Sequence, residues 1–164
     1  MNILELFPIF EIGWLNGWIF MVIFFFIFGI FLITCPKEVI TRLYDSKGWT
    51  KTQYTFTKLG KLCGLIHIIL VFFTPLNIAS IEFMIGIIIY LMGTIGFVIA
   101  VIDFKKAPLG QPIISGLYKI SRNPQVITLF LVSLGTSLTI GSWTAVIVVV
   151  ISIIFFHFKG EFRP

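Results

Sequence analysis

Long apolar runs separated by short charged blocks make up most of the chain. The runs cover about residues 14–34, 62–78, 81–102, 126–139 and 143–158. A helix needs roughly 20 apolar residues to cross the ~30 Å hydrocarbon core of a bilayer. At 1.5 Å per residue the last two runs would be only roughly 21 and 24 Å long. The pattern predicts an all-α integral membrane protein with about five transmembrane helices, the last two forming a short helical hairpin.

The composition of the chain agrees with this pattern. Of the 164 residues, 58% are hydrophobic and only 12% are charged, and the mean hydropathy is +1.06. In soluble domains about a quarter of all residues are charged. The longest polar segment, residues 36–60, is too short to build a core of its own. We therefore expect a single membrane domain over residues 1–164.

The positions of the twelve lysines and arginines predict the orientation in the membrane. All of them lie in three blocks, at residues 37–61, 105–122 and 159–163, and none lies near residues 74–82 or 140–142. Cytoplasmic loops carry an excess of such residues. Five spans with the N-terminus outside would place every cation, both charged loops and the C-terminus in the cytoplasm. No cation precedes residue 37, so a cleavable secretory signal is not expected. We also expect no nucleic-acid partner.

Small residues recur along the third run. They are Gly86, Gly93, Gly96 and Ala100. Small side chains let helix backbones approach closely in membranes. This stripe predicts a helix-packing face.

The cysteines and His67 offer little chemistry on their own. Cys35 and Cys63 lie at predicted cytoplasmic helix ends, where thiols stay reduced, so no disulfide is expected. They lack nearby partner histidines, and we expect no metal site. Cys63 and His67 have the i, i+4 spacing of a nucleophile and base, but no third orienting group is visible. His67 is better interpreted as a hydrogen-bonded polar residue of the bundle interior.

The densest polar block covers residues 116–125, with the sequence Gly-Leu-Tyr-Lys-Ile-Ser-Arg-Asn-Pro-Gln. Asn123 followed by Pro124 predicts a helix start, because asparagine caps free amides and proline suits the first helical position. A helix N-terminus beside Arg122 favours an anion. The block is either such an anion site or only a capped helix next to a basic loop.

A second candidate group lies at the end of the last run. His157 and Glu161 are four residues apart and would share one face of a continuing helix, pointing toward the Arg122 loop. The simpler interpretation is interfacial anchoring together with Lys159 and Arg163. The residues alone do not decide between the two.

Residues 116–125, followed by an apolar helix that contains Gly135, resemble a known signature. It is the Gly-x-Tyr-x-x-x-Arg-(His/Asn)-Pro motif of the isoprenylcysteine carboxyl methyltransferase and phospholipid methyltransferase superfamily. The resemblance covers about residues 105–161. It implies a cytoplasmic pocket for S-adenosylmethionine and methyl transfer to a lipophilic acceptor in the membrane, either a prenylcysteine carboxylate or a phospholipid amine.

The resemblance also implies roles for individual residues. Arg122 and the amides after Asn123 would bind the cofactor carboxylate, Tyr118 would line its adenine or sulfonium, and Glu161 would bind its ammonium or a ribose hydroxyl. Gly116 would permit the tight turn over the cofactor. Arg122, Glu161 and His157 are the expected catalytic residues, with His157 or Glu161 as the base for an ammonium acceptor. The expected cofactor-binding set is Gly116, Tyr118, Arg122, Asn123, Pro124, Gln125 and Glu161.

The chain departs from the superfamily at its end. Phe162 stands where a second acidic residue is common, and the Gly- and Tyr-containing segment that closes the pocket is absent. The expected activity is therefore incomplete or weak. Two alternatives stay open: a sterol reductase-like membrane enzyme that uses NADPH, and a non-catalytic membrane protein whose basic loops bind anionic lipid.

Overall fold

The fold is entirely helical in the computed structural model, which describes residues 9–44, 46, 48–108, 113, 115–121 and 123–161, without the side chains of residues 159–161. The helices are α1 (Trp18–Thr34), α2 (Lys37–Leu43), α3 (Lys51–Phe73), α4 (Ile81–Lys106), α5 (Pro124–Thr139) and α6 (Trp143–Glu161). A 3₁₀ turn, Gly116–Lys119, lies between α4 and α5. No strand occurs in these ranges, so the predicted all-α class is confirmed.

The helices differ in how well they match a membrane. Within the described ranges, α3 and α4 are long and apolar enough to span a bilayer. The helices α1, α5 and the apolar part of α6 (Trp143–Phe158) are shorter. By length and composition, two of the described helices are therefore candidate membrane spans, and the number of five spans stays a prediction.

The predicted boundaries were wrong at the first charged block. Of the run predicted over residues 62–78, residues 62–73 belong to a helix that begins at Lys51 and ends at Phe73, and residues 74–78 lie beyond its end. Thr50 and Gln53 start this helix with a reciprocal capping box. The backbone N–H of Gln53 donates to Thr50 Oγ1 at 3.3 Å, and the backbone N–H of Thr50 donates to Gln53 Oε1 at 2.9 Å. Hydropathy marks the apolar part of a helix, whereas capping decides where the helix begins.

The first run differs in a smaller way. It was predicted from residue 14, but α1 begins at Trp18. The preceding residues are held by Asn16, whose side-chain amide donates to the carbonyls of Glu11 (2.6 Å) and Phe72 (3.2 Å). Asn16 is buried, so these bonds fix the entry to α1 against the end of α3.

The stripe of small residues is a packing face, as predicted. The contact between α4 and α5 is the most extensive one between two described helices. A Cβ atom added to Gly86 would lie 2.7 Å from the Gly135 carbonyl oxygen, and one added to Gly93 would lie 2.6 Å from the Val132 amide nitrogen. A Cβ on Gly135 would collide with the Tyr90 backbone. The two backbones therefore touch directly, which only glycine permits.

Polar contacts join the other helices. His67 lies buried on α3, and its Nε2 is 2.9 Å from Ser137 Oγ on α5. The predicted role of His67 as a hydrogen-bonded interior residue is confirmed. The Asn77 amide donates to the Thr139 carbonyl at 2.9 Å and ties the α3–α4 connection to the end of α5.

Replacement of Gly135 by valine should separate α4 from α5. Overpacking of a close contact costs about 1–3 kcal/mol, so we expect a midpoint of thermal unfolding several degrees lower, measured by circular dichroism in detergent. Gly29→Val is the matched control, because a Cβ at Gly29 in α1 meets nothing within 4 Å. Equal midpoints for the two variants would contradict a backbone contact at Gly135.

Candidate functional site

The turn that opens the polar block is built around Asp103. Gly116 has a φ of +53°, in the left-handed region that favours glycine. The Leu117 amide donates to Asp103 Oδ2 at 3.4 Å, and a Cβ on Gly116 would collide with the Asp103 carboxylate. The glycine therefore serves two purposes, since it supplies the backbone conformation and makes room for an acid from the end of α4. Sequence reasoning expected the turn but missed Asp103.

Tyr118 connects this turn to α2. Its ring lies 6.5 Å from the Phe104 ring, centroid to centroid, and packs against the buried cluster of Cys35, Val39 and Phe104. Arg42 lies over the Phe104 ring at 5.3 Å and also donates to the Pro108 carbonyl at 3.1 Å. The short helix α2 is therefore a neighbour of the polar block.

The role of α2 was not predicted, because residues 37–61 were interpreted as a cytoplasmic loop. A signal was present in the sequence: Val39, Ile40 and Leu43 have the i, i+1, i+4 spacing of one helical face. All three belong to the cluster beneath Tyr118. The charged residues around them obscured this pattern.

Tyr118 is a neutral phenol at ordinary pH. Its surroundings together raise its pKa to about 12: burial is the largest cause and the Asp103 carboxylate adds to it, while the Arg42 guanidinium and a side-chain hydrogen bond with Gln125 lower it in part. A neutral ring can form an apolar wall with a hydroxyl donor at its edge. Tyr118 is therefore suited to contact a ligand without acting as an anion.

The helix predicted after Asn123 exists, but its predicted cap does not. Pro124 is the first residue of α5 and is buried, and the Asn123 side chain makes no capping hydrogen bond. The backbone N–H of Asn123 instead donates to Ser121 Oγ at 3.2 Å, a local hydrogen bond just before the helix. The capping prediction was wrong, and the first turn of α5 has no side-chain cap to compete with an anion.

Gln125 carries a buried polar atom that is poorly satisfied. Its Nε2 is shielded from solvent and makes no hydrogen bond of ordinary geometry among the described residues; a weak interaction with the Tyr118 hydroxyl, which lowers the pKa of that phenol, does not replace one. Gln125 also lines a cavity of about 320 Å³ whose walls include Phe24, Phe28 and Tyr44. Leaving a buried donor unsatisfied costs about 1–3 kcal/mol. An unmet donor on an aromatic-walled cavity is a feature that a bound polar group would explain.

Two of the expected site residues, Arg122 and the side chain of Glu161, lie outside the part of the chain that the structure describes. His157 is exposed near the end of α6, with its ring 6.2 Å from that of Phe158. The structure thus brings Gly116, Tyr118, Pro124 and Gln125 to one end of the bundle, while the meeting of His157, Glu161 and Arg122 stays a prediction.

Among the described residues, no group of three or more His, Cys, Asp or Glu side chains is placed to hold a metal. Cys35 and Cys63 are free thiols.

Substitution of Gly116 by alanine should distort the turn. An L-residue in the left-handed region costs about 1–2 kcal/mol, and the collision with Asp103 adds to this cost. Gly48→Ala is the matched control, because Gly48 has a φ of +79° but nothing within 4 Å of its Cβ position. We expect a clearly larger loss of the free energy of unfolding for Gly116→Ala than for Gly48→Ala. Equal losses would show that Asp103 does not occupy the space.

The raised pKa of Tyr118 predicts a stability change at high pH. The unfolded chain releases the phenol proton near pH 10.0, before the folded chain does near pH 12. The free energy of unfolding should therefore fall across this interval. Tyr118→Phe should flatten the decline, and Tyr44→Phe, which alters an exposed ring, should not. Unfolding curves collected at several alkaline pH values would show whether the two variants differ.

Comparison with known proteins adds one finding. A sequence model of the phospholipid methyltransferase family matches residues 59–162, which include most of α3, all of α4 and α5, and the polar block. No curated protein and no solved structure matches the chain significantly. Since the family match covers more than half of the 164 residues, the chain belongs to the phospholipid methyltransferase family.

Proposed function

We propose that the protein transfers a methyl group from S-adenosylmethionine to a lipophilic acceptor, a prenylcysteine carboxylate or a phospholipid amine, at the cytoplasmic membrane face. Family membership indicates methyl transfer to a lipid-type substrate. The observation that carries the finer proposal is the unsatisfied Gln125 Nε2, which lies on a cavity beside the uncapped start of α5. A polar ligand at this position would satisfy both features.

The residues at this site fit the cofactor. S-adenosylmethionine combines a carboxylate, an ammonium, a sulfonium and an adenine, so its pocket needs both polar groups and aromatic walls. The amides at the start of α5 and Arg122 would hold the carboxylate. The neutral ring of Tyr118 and the aromatic cavity walls suit the adenine. Glu161 would hold the ammonium or a ribose hydroxyl.

When bound, the cofactor supplies a methyl group on a sulfonium, which is an excellent leaving group. The protein residues then have two tasks. The turn on Asp103 and the start of α5 hold the reaction partners in line, since alignment supplies most of the acceleration. An ammonium acceptor must first lose a proton, for which His157 or Glu161 is the proposed base, whereas a carboxylate acceptor needs none.

The location of the site fits delivery from the membrane. Lys58 and Lys61 of α3 and the polar block before α5 lie at the same end of the bundle, because α3 and α5 run in the same direction. By the positive-inside rule we assign this end to the cytoplasm. In the proposal α1, α5 and α6 also cross the membrane, which gives five spans and an outside N-terminus.

The direct test is calorimetric titration of the purified full chain with S-adenosylmethionine. We expect saturable binding, weakened about tenfold or more by Arg122→Gln, because charge-assisted hydrogen bonds contribute about 1.5–3 kcal/mol. Gln125→Leu should also weaken binding. Lys119→Gln is the control, since it removes a cation from the same turn without removing the proposed carboxylate ligand. Absence of saturable binding in the unmodified chain would refute the proposal.

A second measurement separates the acceptors. Transfer of a labelled methyl group can be followed in parallel to a prenylcysteine analogue and to phosphatidylethanolamine in mixed micelles. Product from only one acceptor identifies the class. Binding of NADPH with no binding of S-adenosylmethionine would instead favour a reductase.

A further inference from the structure

A groove of about 390 Å³ lies between α3, α5 and α6. Its walls share Val126 and Leu129 with the aromatic cavity and are otherwise formed by different residues. Its size is typical of a ligand site. It is open on one side, and two glycines on α3 help to form it: Gly60 faces the Phe156 ring, and a Cβ on Gly64 would meet nothing within 4 Å. The Phe156 ring of α6 fills the space at Gly60, whereas the space at Gly64 stays open.

The interior of the groove is suited to hydrocarbon. Two of its polar wall residues already have partners: His67 Nε2 lies 2.9 Å from Ser137 Oγ, which is not part of the wall, and Ser152 Oγ donates to the Gly60 carbonyl at 3.1 Å. The remaining walls are mainly aliphatic and aromatic side chains such as Leu65, Ile68 and Phe130. A polar metabolite would find few partners here, whereas an acyl chain would need none.

One end of the groove carries a positive charge. Lys61 belongs to the wall, is exposed, and forms no ion pair among the described residues. His67 lies six residues further along α3, which is about 9 Å deeper at the helical rise. An exposed ammonium above an apolar groove matches a molecule with an anionic head and a hydrocarbon tail.

The charged end of the groove lies next to the proposed site of methyl transfer. Val126 and Leu129 of α5 line both the groove and the aromatic cavity, and Gln125 directly precedes Val126. Phe156, at the same end of the groove, directly precedes His157, the proposed base. A molecule seated in the groove would therefore present its head to the start of α5.

We propose that this groove binds one acyl chain of a phospholipid acceptor, with the lipid phosphate on Lys61 and the chain running toward His67. The assignment rests on the proposed function and goes further by giving the acceptor lipid a binding site of its own, outside the aromatic cavity. A phospholipid fits this site better than a prenylcysteine does, because a prenylcysteine carries its charge on a carboxylate at the reacting group and would leave Lys61 without a partner.

Photolabelling tests the groove directly. The full chain is purified in a non-ionic detergent free of other phospholipids, phosphatidylethanolamine with a mid-chain diazirine is added in mixed micelles, and labelled peptides are mapped by mass spectrometry. Labelling of groove residues on α5 should saturate with the probe, whereas labelling of the exposed α4 face at Ile88, Leu91 and Ile95 should rise linearly. Unlabelled phosphatidylethanolamine should compete for the groove, and diacylglycerol, which lacks the phosphate, should not.

Two variants with matched controls sharpen the test. Gly64→Leu should fill the groove and reduce its labelling at least fivefold, whereas Gly29→Leu, also in open space but on α1, should leave labelling unchanged. Lys61→Gln should weaken competition by phosphatidylethanolamine, and Lys58→Gln, one turn earlier and outside the groove, should not. An unchanged thermal midpoint for Gly64→Leu shows that the loss is not due to unfolding.

Binding of S-adenosylmethionine, measured on the same samples, separates this proposal from the proposed function. Saturable groove labelling without cofactor binding would support the lipid site and refute the methyltransferase assignment. Cofactor binding with linear labelling of the groove, or labelling that Gly64→Leu leaves unchanged, would overturn the lipid site alone. Displacement of the probe by a prenylcysteine but not by phosphatidylethanolamine would overturn the choice of acceptor.

Discussion

The direct backbone contact between α4 and α5 is the constraint on which the rest of the site depends. Gly86, Gly93 and Gly135 let these two helices touch without intervening side chains. The contact fixes the end of α4, which carries Asp103, relative to the start of α5 at Pro124. The turn between them can then close on Asp103, with Gly116 in the left-handed conformation. A packing feature of the apolar region thereby determines the shape of a polar loop at its end.

The first charged block completes this end of the bundle. Its apolar residues on α2 pack beneath Tyr118, and Arg42 covers the ring of Phe104. Charged residues so placed can remain in contact with water while their stems and neighbours cover apolar surface. The polar block 116–125 is therefore supported from two directions, by Asp103 on α4 and by α2. Neither support lies within the polar block itself.

The start of α5 has a different environment on each flank. On the side of α1 and α4 an aromatic cavity holds the unsatisfied Gln125 amide, and on the side of α3 and α6 an apolar groove begins at Lys61. Methyl transfer requires two reactants that differ in polarity and meet at one point. In the proposed arrangement the polar reactant uses the first flank and the lipid uses the second, and α5 lies between them.

The sequence by itself determined the helical class, the glycine packing face, the interior role of His67 and the helix start at Pro124. These properties follow from hydropathy, residue size and local backbone preference, which act over a few neighbouring residues. The tertiary structure alone decided the partner of Gly116, the position of α2 and the failure of Asn123 to cap. The start of α3 at Lys51 had a local signal in the capping residues Thr50 and Gln53, which hydropathy does not register. The others depend on contacts between residues far apart in the chain, such as Asp103 with Leu117 and Arg42 with Phe104, whose free energy exists only after the helices have packed.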